Sequence, residues 1–157
     1  HFLQMLYRTE KFPSVILRLF LTYGPGQAQG RFLPQIIRAC LDNENFPVSA
    51  GEQLRDFCYI DDTVDAIIKA LFAKNINGHV INIASGKPIT IKNIIKQVHT
   101  IISKGSPVFG SVPYRVGENM SLYANINKSK KLLDWEPRVL IEDGLKKTID
   151  SFINERE

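Results

Sequence analysis

Apolar positions follow two rhythms along this chain. Ser14 to Tyr23 reads Ser-Val-Ile-Leu-Arg-Leu-Phe-Leu-Thr-Tyr, short and almost continuously apolar. That run predicts a strand buried on both faces, as in a parallel sheet. Gly24-Pro25-Gly26 stops it. Phe32, Leu33, Ile36, Ile37, Cys40 and Leu41 then recur at helical spacing, predicting a helix from about Arg31 to Glu44. Phe46 to Ala50 fits a short strand. Val64, Ile67, Ile68 and Leu71 share one face of a helix that Asp61 or Asp62 can cap. His79 to Ala84 is a second buried strand, closed by Ser85-Gly86-Lys87-Pro88. Thr90 caps a helix that turns Ile91, Ile94, Ile95, Val98, Ile101 and Ile102 inward.

The two ends read differently. Phe2, Leu3, Met5 and Leu6 open the chain as if mid-helix, with no capping residue before them, and Pro13 ends that segment. Gly105 to Glu118 holds three Gly and two Pro, which predicts a long irregular connection. Ser129 to Leu133 is a short helix. Ile141, Leu145, Ile149 and Phe152 mark the last one, with Glu142–Lys146 and Asp143–Lys147 pairs on its wet side. Strands separated by helices argue an α/β fold. Two clear strands are few for a complete sheet. Residues 1–157 are therefore expected to form a single partial domain of something longer.

Composition narrows the function classes. The hydrophobic fraction is 44% and the charged fraction 23%, ordinary globular usage. No apolar run approaches the roughly 18 residues of a membrane span. No secretory leader pattern opens the chain. Cys40 and Cys58 are too few for a disulfide framework or a zinc site, so no metal site and a cytoplasmic setting are expected. The net charge is +4, from scattered residues. That suits an anionic small ligand, and neither nucleic acid nor a membrane surface is expected as partner.

Candidate chemistry is sparse. The turn from Gly24 to Gly30 sits between a strand and a helix, where a dinucleotide turn would lie. Its spacing is wrong, because Gln29 stands where the fingerprint needs Gly or Ala. Tyr7 and Lys11 have a Tyr-x-x-x-Lys spacing but read as a surface pair near a helix end. His79 and His99 read as structural. Arg55 and Arg115 lie on separate loops, and two guanidinium groups so placed could clamp a diphosphate. Spacing does not separate that clamp from two solvated arginines, one of them paired with Asp56.

Three segments change this balance: Arg18-Leu-Phe-Leu-Thr-Tyr23-Gly24-Pro25-Gly26, Gly51-Glu-Gln-Leu-Arg55-Asp56-Phe57-Cys-Tyr59-Ile60-Asp61-Asp62, and Tyr114-Arg115-Val-Gly117-Glu118 followed by Leu133-Asp-Trp135-Glu-Pro137. Together with Asn82-Ile-Ala-Ser85-Gly86-Lys87 they resemble the C-terminal half of the NAD-dependent epimerase/dehydratase family. These are the extended short-chain dehydrogenases that act on nucleotide sugars. The resemblance covers nearly the whole chain. It implies the last strands of a Rossmann-like parallel sheet plus the small C-terminal substrate-binding lobe.

The resemblance also implies roles. The family's Gly-rich NAD(P) turn and catalytic Tyr-x-x-x-Lys lie upstream of His1, so no catalytic residue is expected here. Bound NAD or NADP is expected only in the parent enzyme. Tyr23, Gly24 and Pro25 would border the sugar and nicotinamide. Arg31, Phe32 and Leu33 would open the helix over the nucleotide. Arg55 and Arg115 would contact the diphosphate, and Glu118 the ribose or base. Many members carry Asn where this chain has Leu21, which leaves a nucleotide-4-ketosugar reductase as an alternative to an epimerase or dehydratase. A non-catalytic nucleotide-sugar-binding module is the other alternative. An open sheet edge invites homo-oligomerisation or pairing with the missing N-terminal half.

Overall fold

The computed structural model describes residues 1–156. Helix α1 (Phe2–Glu10) buries none of its residues and ends at Lys11, which takes a left-handed conformation. The apolar run that follows is broken at Phe20 into β1 (Ile16–Leu19) and β2 (Leu21–Tyr23). The Phe20 N–H donates to the Ile83 carbonyl, and the next N–H, that of Leu21, donates to the Asp56 carbonyl. Successive N–H groups of a strand point to opposite edges, so the run changes partner and edge at Phe20. β1 pairs in parallel with β6 (Val80–Ile83), and β2 pairs in parallel with β5 (Phe57–Tyr59). The expectation of burial on both faces fails, because Leu19 is 49% and Leu21 37% exposed. Among the described residues, no strand covers the second edge of β1.

Helix α2 (Phe32–Leu41) leads to β3 (Asn45–Val48) and then to β4 (Leu54–Arg55) before β5. Helix α3 (Ile60–Phe72) follows β5 directly. After β6 come β7 (Ile89–Thr90), α4 (Ile91–Ile102), β8 (Ser106–Phe109), β9 (Ser121–Leu122), α5 (Asn127–Leu133) and α6 (Ile141–Asn154). β3 pairs in parallel with β8, while β4 lies between antiparallel β7 and parallel β9. The 105–118 segment is thus not wholly irregular. The Thr90 hydroxyl caps α4 as expected, accepting from the Asn93 N–H at 3.2 Å.

Strand alternation in β5 divides the interior. Phe57 and Tyr59 join the core built by α2, α4 and α6, while Cys58 between them joins the core built by β1, β6, α3 and Trp135. Here the pattern on α3 misleads. Its buried residues are Asp62, Thr63, Ala66 and Ala70, whereas Val64, Ile67, Ile68 and Leu71 are exposed. Small residues let α3 approach the strands closely, and the large ones are left outside. Asp61 makes no capping bond. Asp62 instead accepts from the Arg138 and Val139 N–H groups at 3.0 Å each, and its carbonyl accepts from the Trp135 indole. The expected Glu142–Lys146 and Asp143–Lys147 pairs are not among the ion pairs of the described residues. Lys147 lies over the Tyr59 ring, 5.5 Å from its centroid. No helix among the described residues is long and apolar enough to cross a membrane.

Candidate functional site

The residues just before and within β4 alternate across the strand, so Gln53 and Arg55 face one way and Leu54 and Asp56 the other. This alternation separates two neighbouring charges. Asp56 is fully buried and accepts four hydrogen bonds: from the Ser85 N–H at 2.7 Å, the Ser85 hydroxyl at 2.6 Å, the Gly86 N–H at 3.0 Å and the Ala124 N–H at 3.2 Å. It is a strut between strands and loops, and it does not pair with Arg55. The structure thus rejects that form of the solvated-arginine alternative.

Arg55 turns into a cleft of about 490 Å³ between α2, the end of β3, the start of α4 and the 112–118 segment. The apolar wall includes Phe32, Ile36 and Val48, and the charged end is Arg55, Arg115 and Glu118. A tight turn presents the last two. The Glu118 N–H donates to the Arg115 carbonyl at 3.0 Å, and Gly117 sits at φ 76, a conformation that glycine adopts without strain. The Tyr114 hydroxyl accepts from the Glu52 N–H at 3.1 Å, tying this turn to the approach to β4. The Glu118 carboxylate contacts the Arg55 guanidinium directly, and Arg55 Nη1 also donates to the Asn119 carbonyl at 2.7 Å.

Arg55, Arg115, Glu118 and Phe32 therefore meet around one cavity. Leu33 does not join them, being a core residue, and Arg31 is exposed at the N-terminus of α2 outside the cleft. The side chain of Tyr23 is buried and its hydroxyl points at the Ile141 carbonyl, 3.4 Å away. Burial, with Cys58 and Tyr59 close by, holds its phenol well above the ordinary value, which suits a packing group and not an acid–base one. Gly24 and Pro25 lie in the turn after β2, also outside the cleft, and a Cβ on Gly24 would stand 2.5 Å from Ile60 Cγ2. Among the described residues no three His, Cys, Asp or Glu side chains converge as a metal site. Sequence reasoning missed Gln53, whose Oε1 is buried beside the cleft without a partner. Its position two residues before Arg55 on an extended segment was the available signal.

Known proteins resemble this chain in both sequence and fold. A family model described as NAD dependent epimerase/dehydratase matches residues 2–84, more than half of the 157 residues. The UDP-N-acetyl-alpha-D-glucosaminuronate decarboxylase of Bacillus cytotoxicus is 32% identical over 155 residues, covering 93% of this chain and 48% of that protein. Among solved structures, the UDP-glucuronic acid 4-epimerase of Bacillus cereus, in complex with UDP-glucuronic acid and NAD, superposes with a TM-score of 0.88 at 34% identity. The match covers 99% of this chain and 50% of that one. The UDP-glucose 4-epimerase of Thermotoga maritima, solved with UDP-glucose, gives 0.91 at 28% identity over 99% and 51%. The chain spans about half the length of the curated relatives it matches.

Proposed function

The chain belongs to the NAD-dependent epimerase/dehydratase family, and within it we propose that residues 1–157 form the part that holds a nucleoside diphosphate sugar, as one partial domain. The observation that carries this reading is the cleft. Arg55 comes from β4 and Arg115 from a distant turn, yet both line one cavity whose opposite wall is apolar. Paired guanidinium groups suit the two phosphates, and an apolar wall suits a base. None of the ion pairs among the described residues uses Arg115. Nucleotide sugars are the ligands of the solved relatives named above.

The chain's own residues do not fit a dinucleotide. The turn from Gly24 to Gly30 lacks the fingerprint spacing, and Tyr23, Gly24 and Pro25 would at most border a nicotinamide. The part played by this chain is binding and orienting the sugar nucleotide. Hydride exchange and a Tyr/Lys acid–base pair would come from a dinucleotide-binding half outside these residues. Leu21 lines the cleft and offers no side-chain hydrogen bond where many members carry Asn, so a nucleotide-4-ketosugar reductase stands as the second reading.

The test is calorimetric binding of UDP-, dTDP-, CDP- and GDP-sugars to the chain. Arg55→Ala and Arg115→Ala should each weaken binding by about tenfold or more, the worth of one charge-assisted hydrogen bond. Arg55→Lys should recover only part, since an ammonium keeps the charge and loses the fork. Wild-type affinity in both alanine variants would leave Arg55 as a structural partner of Glu118, Arg115 as a solvated arginine, and no clamp.

A further inference from the structure

On the nucleotide-binding reading above, Arg55 marks where the diphosphate lies. Gln53 is two residues earlier on the same extended segment and faces the same way, so it stands about 6.5 Å along the cleft from Arg55. A ribose spans a similar length between phosphate and base. Main-chain bonds hold the spacing: the Gln53 carbonyl accepts from the Ile91 N–H at 3.1 Å, and the Leu54 N–H donates to the Met120 carbonyl at 2.8 Å. The cleft wall includes Val48, Ile91 and Ile95, which suit the faces of a base and leave its polar edge to be met by something else. Gln35 of the same cleft gives its amide nitrogen to the Gly30 carbonyl at 3.0 Å. The Gln53 amide differs, because its Oε1 is buried and no protein donor reaches it.

We propose that Gln53 is a specificity residue that reads the nucleobase, through a side-chain amide that turns to match either pyrimidine. Uracil offers an N–H donor beside a carbonyl acceptor, and cytosine an amino donor beside a ring-nitrogen acceptor. A side-chain amide carries a donor and an acceptor side by side, so it pairs with both edges. Its last torsion joins an sp³ to an sp² centre and is soft, and no protein donor fixes Oε1, so the base decides which way the amide turns. Pairing also gives the amide carbonyl a donor, which a buried acceptor needs. A carboxylate at the same place would only accept. It would hold the cytosine amino group and oppose the uracil carbonyl.

The experiment titrates UDP, CDP and inorganic pyrophosphate into the wild-type chain, Gln53→Met and Gln53→Glu by calorimetry, at about pH 8, where a glutamate is ionised. Gln53→Met keeps the length and the apolar stem and removes both polar ends. It should weaken UDP and CDP about tenfold each and leave pyrophosphate within about twofold of wild type. The wild-type chain should bind UDP and CDP within about threefold of each other, and Gln53→Glu should prefer CDP by about tenfold or more. Equal losses of UDP and pyrophosphate in Gln53→Met would mean that the residue only shapes the cleft, and overturn the proposal. So do an unchanged UDP affinity in Gln53→Met and an unchanged UDP-to-CDP ratio in Gln53→Glu. If neither UDP nor CDP binds the wild-type chain, the nucleotide-binding reading itself falls, and this inference with it.

Discussion

The two cores on either side of β5 differ in how their helices are covered. Around α2, α4 and α6, most of the large apolar side chains predicted to point inward do so, while Ile101, expected to face inward on α4, is 40% exposed. Leu33, Ile37, Ile94, Ile95, Val98, Leu145 and Ile149 are all at most 2% exposed. Around α3 the large side chains point out, with Leu71 75% and Phe72 80% exposed, and Phe2 and Met5 of α1 are also bare. Both regions carry helical apolar stripes. In the first, three helices from one chain cover one another. In the second, β1 has an uncovered edge and α3 turns its alanines to the strands. An apolar stripe thus marks a face that needs cover, and does not say that this stretch of chain supplies it. The candidate cleft lies on the closed side, where α2 and α4 are fixed by mutual packing.

The comparison can be broken hardest at the junction. Asp56 holds four donors between the two regions, three of them main-chain N–H groups. Asp56→Ala should cost about 4 kcal/mol, since each buried donor left unpaired costs roughly 1–3 kcal/mol. Urea unfolding measures it, and a loss under 1 kcal/mol would show that water replaces the carboxylate. Within the closed core, Leu145→Ala should cost about 2–5 kcal/mol by the same method, because α2, α4 and α6 leave little room to collapse.

A smaller effect concerns the core behind β5. Burial pushes the Cys58 thiol up to about 11. The folded state then keeps its proton after the unfolded chain, with an ordinary thiol, has lost it. The contribution of this group is intact below about pH 9 and is lost as pH rises towards 11, at up to about 1.4 kcal/mol per pH unit. Cys58→Ala should flatten the decline of stability across that window. An identical decline in the variant would assign the alkaline loss to other groups. On the open side, Leu71→Lys with Phe72→Lys should change stability by no more than about 0.5 kcal/mol. It should instead reduce self-association in sedimentation velocity. A wild-type chain that is already monomeric would show that this face is not adhesive.

Much of the site was legible because its signals are local. Arg-Asp-Phe and Tyr-Arg-Val-Gly-Glu are short runs that carry the family resemblance, and four of the residues it singled out do line one cleft. Tyr23 was not legible as a core residue; Leu33 was, from its helical spacing, and only the family resemblance assigned it to the site. Nothing in a tyrosine's neighbours along the chain tells that its ring will meet Phe57 and Tyr59 edge-on. Nor was it legible that Asp56 turns away from Arg55, which follows from the strand alternation that the segment takes on once β4 pairs with β7 and β9.

By itself the sequence determined the six helices and their order, the cap at Thr90, most of the inward faces of α2, α4 and α6, and the residue types available to hold an anion. These depend on period and on local backbone chemistry, and both are carried by neighbours in the chain. Tertiary structure alone decided the rest: the change of partner at Phe20, the inward turn of alanines on α3, and the seating of Glu118 on Arg55. Each of these depends on which of several distant groups reaches a position first with its hydrogen bonds satisfied and its volume fitted, and no window of sequence contains both sides of that competition.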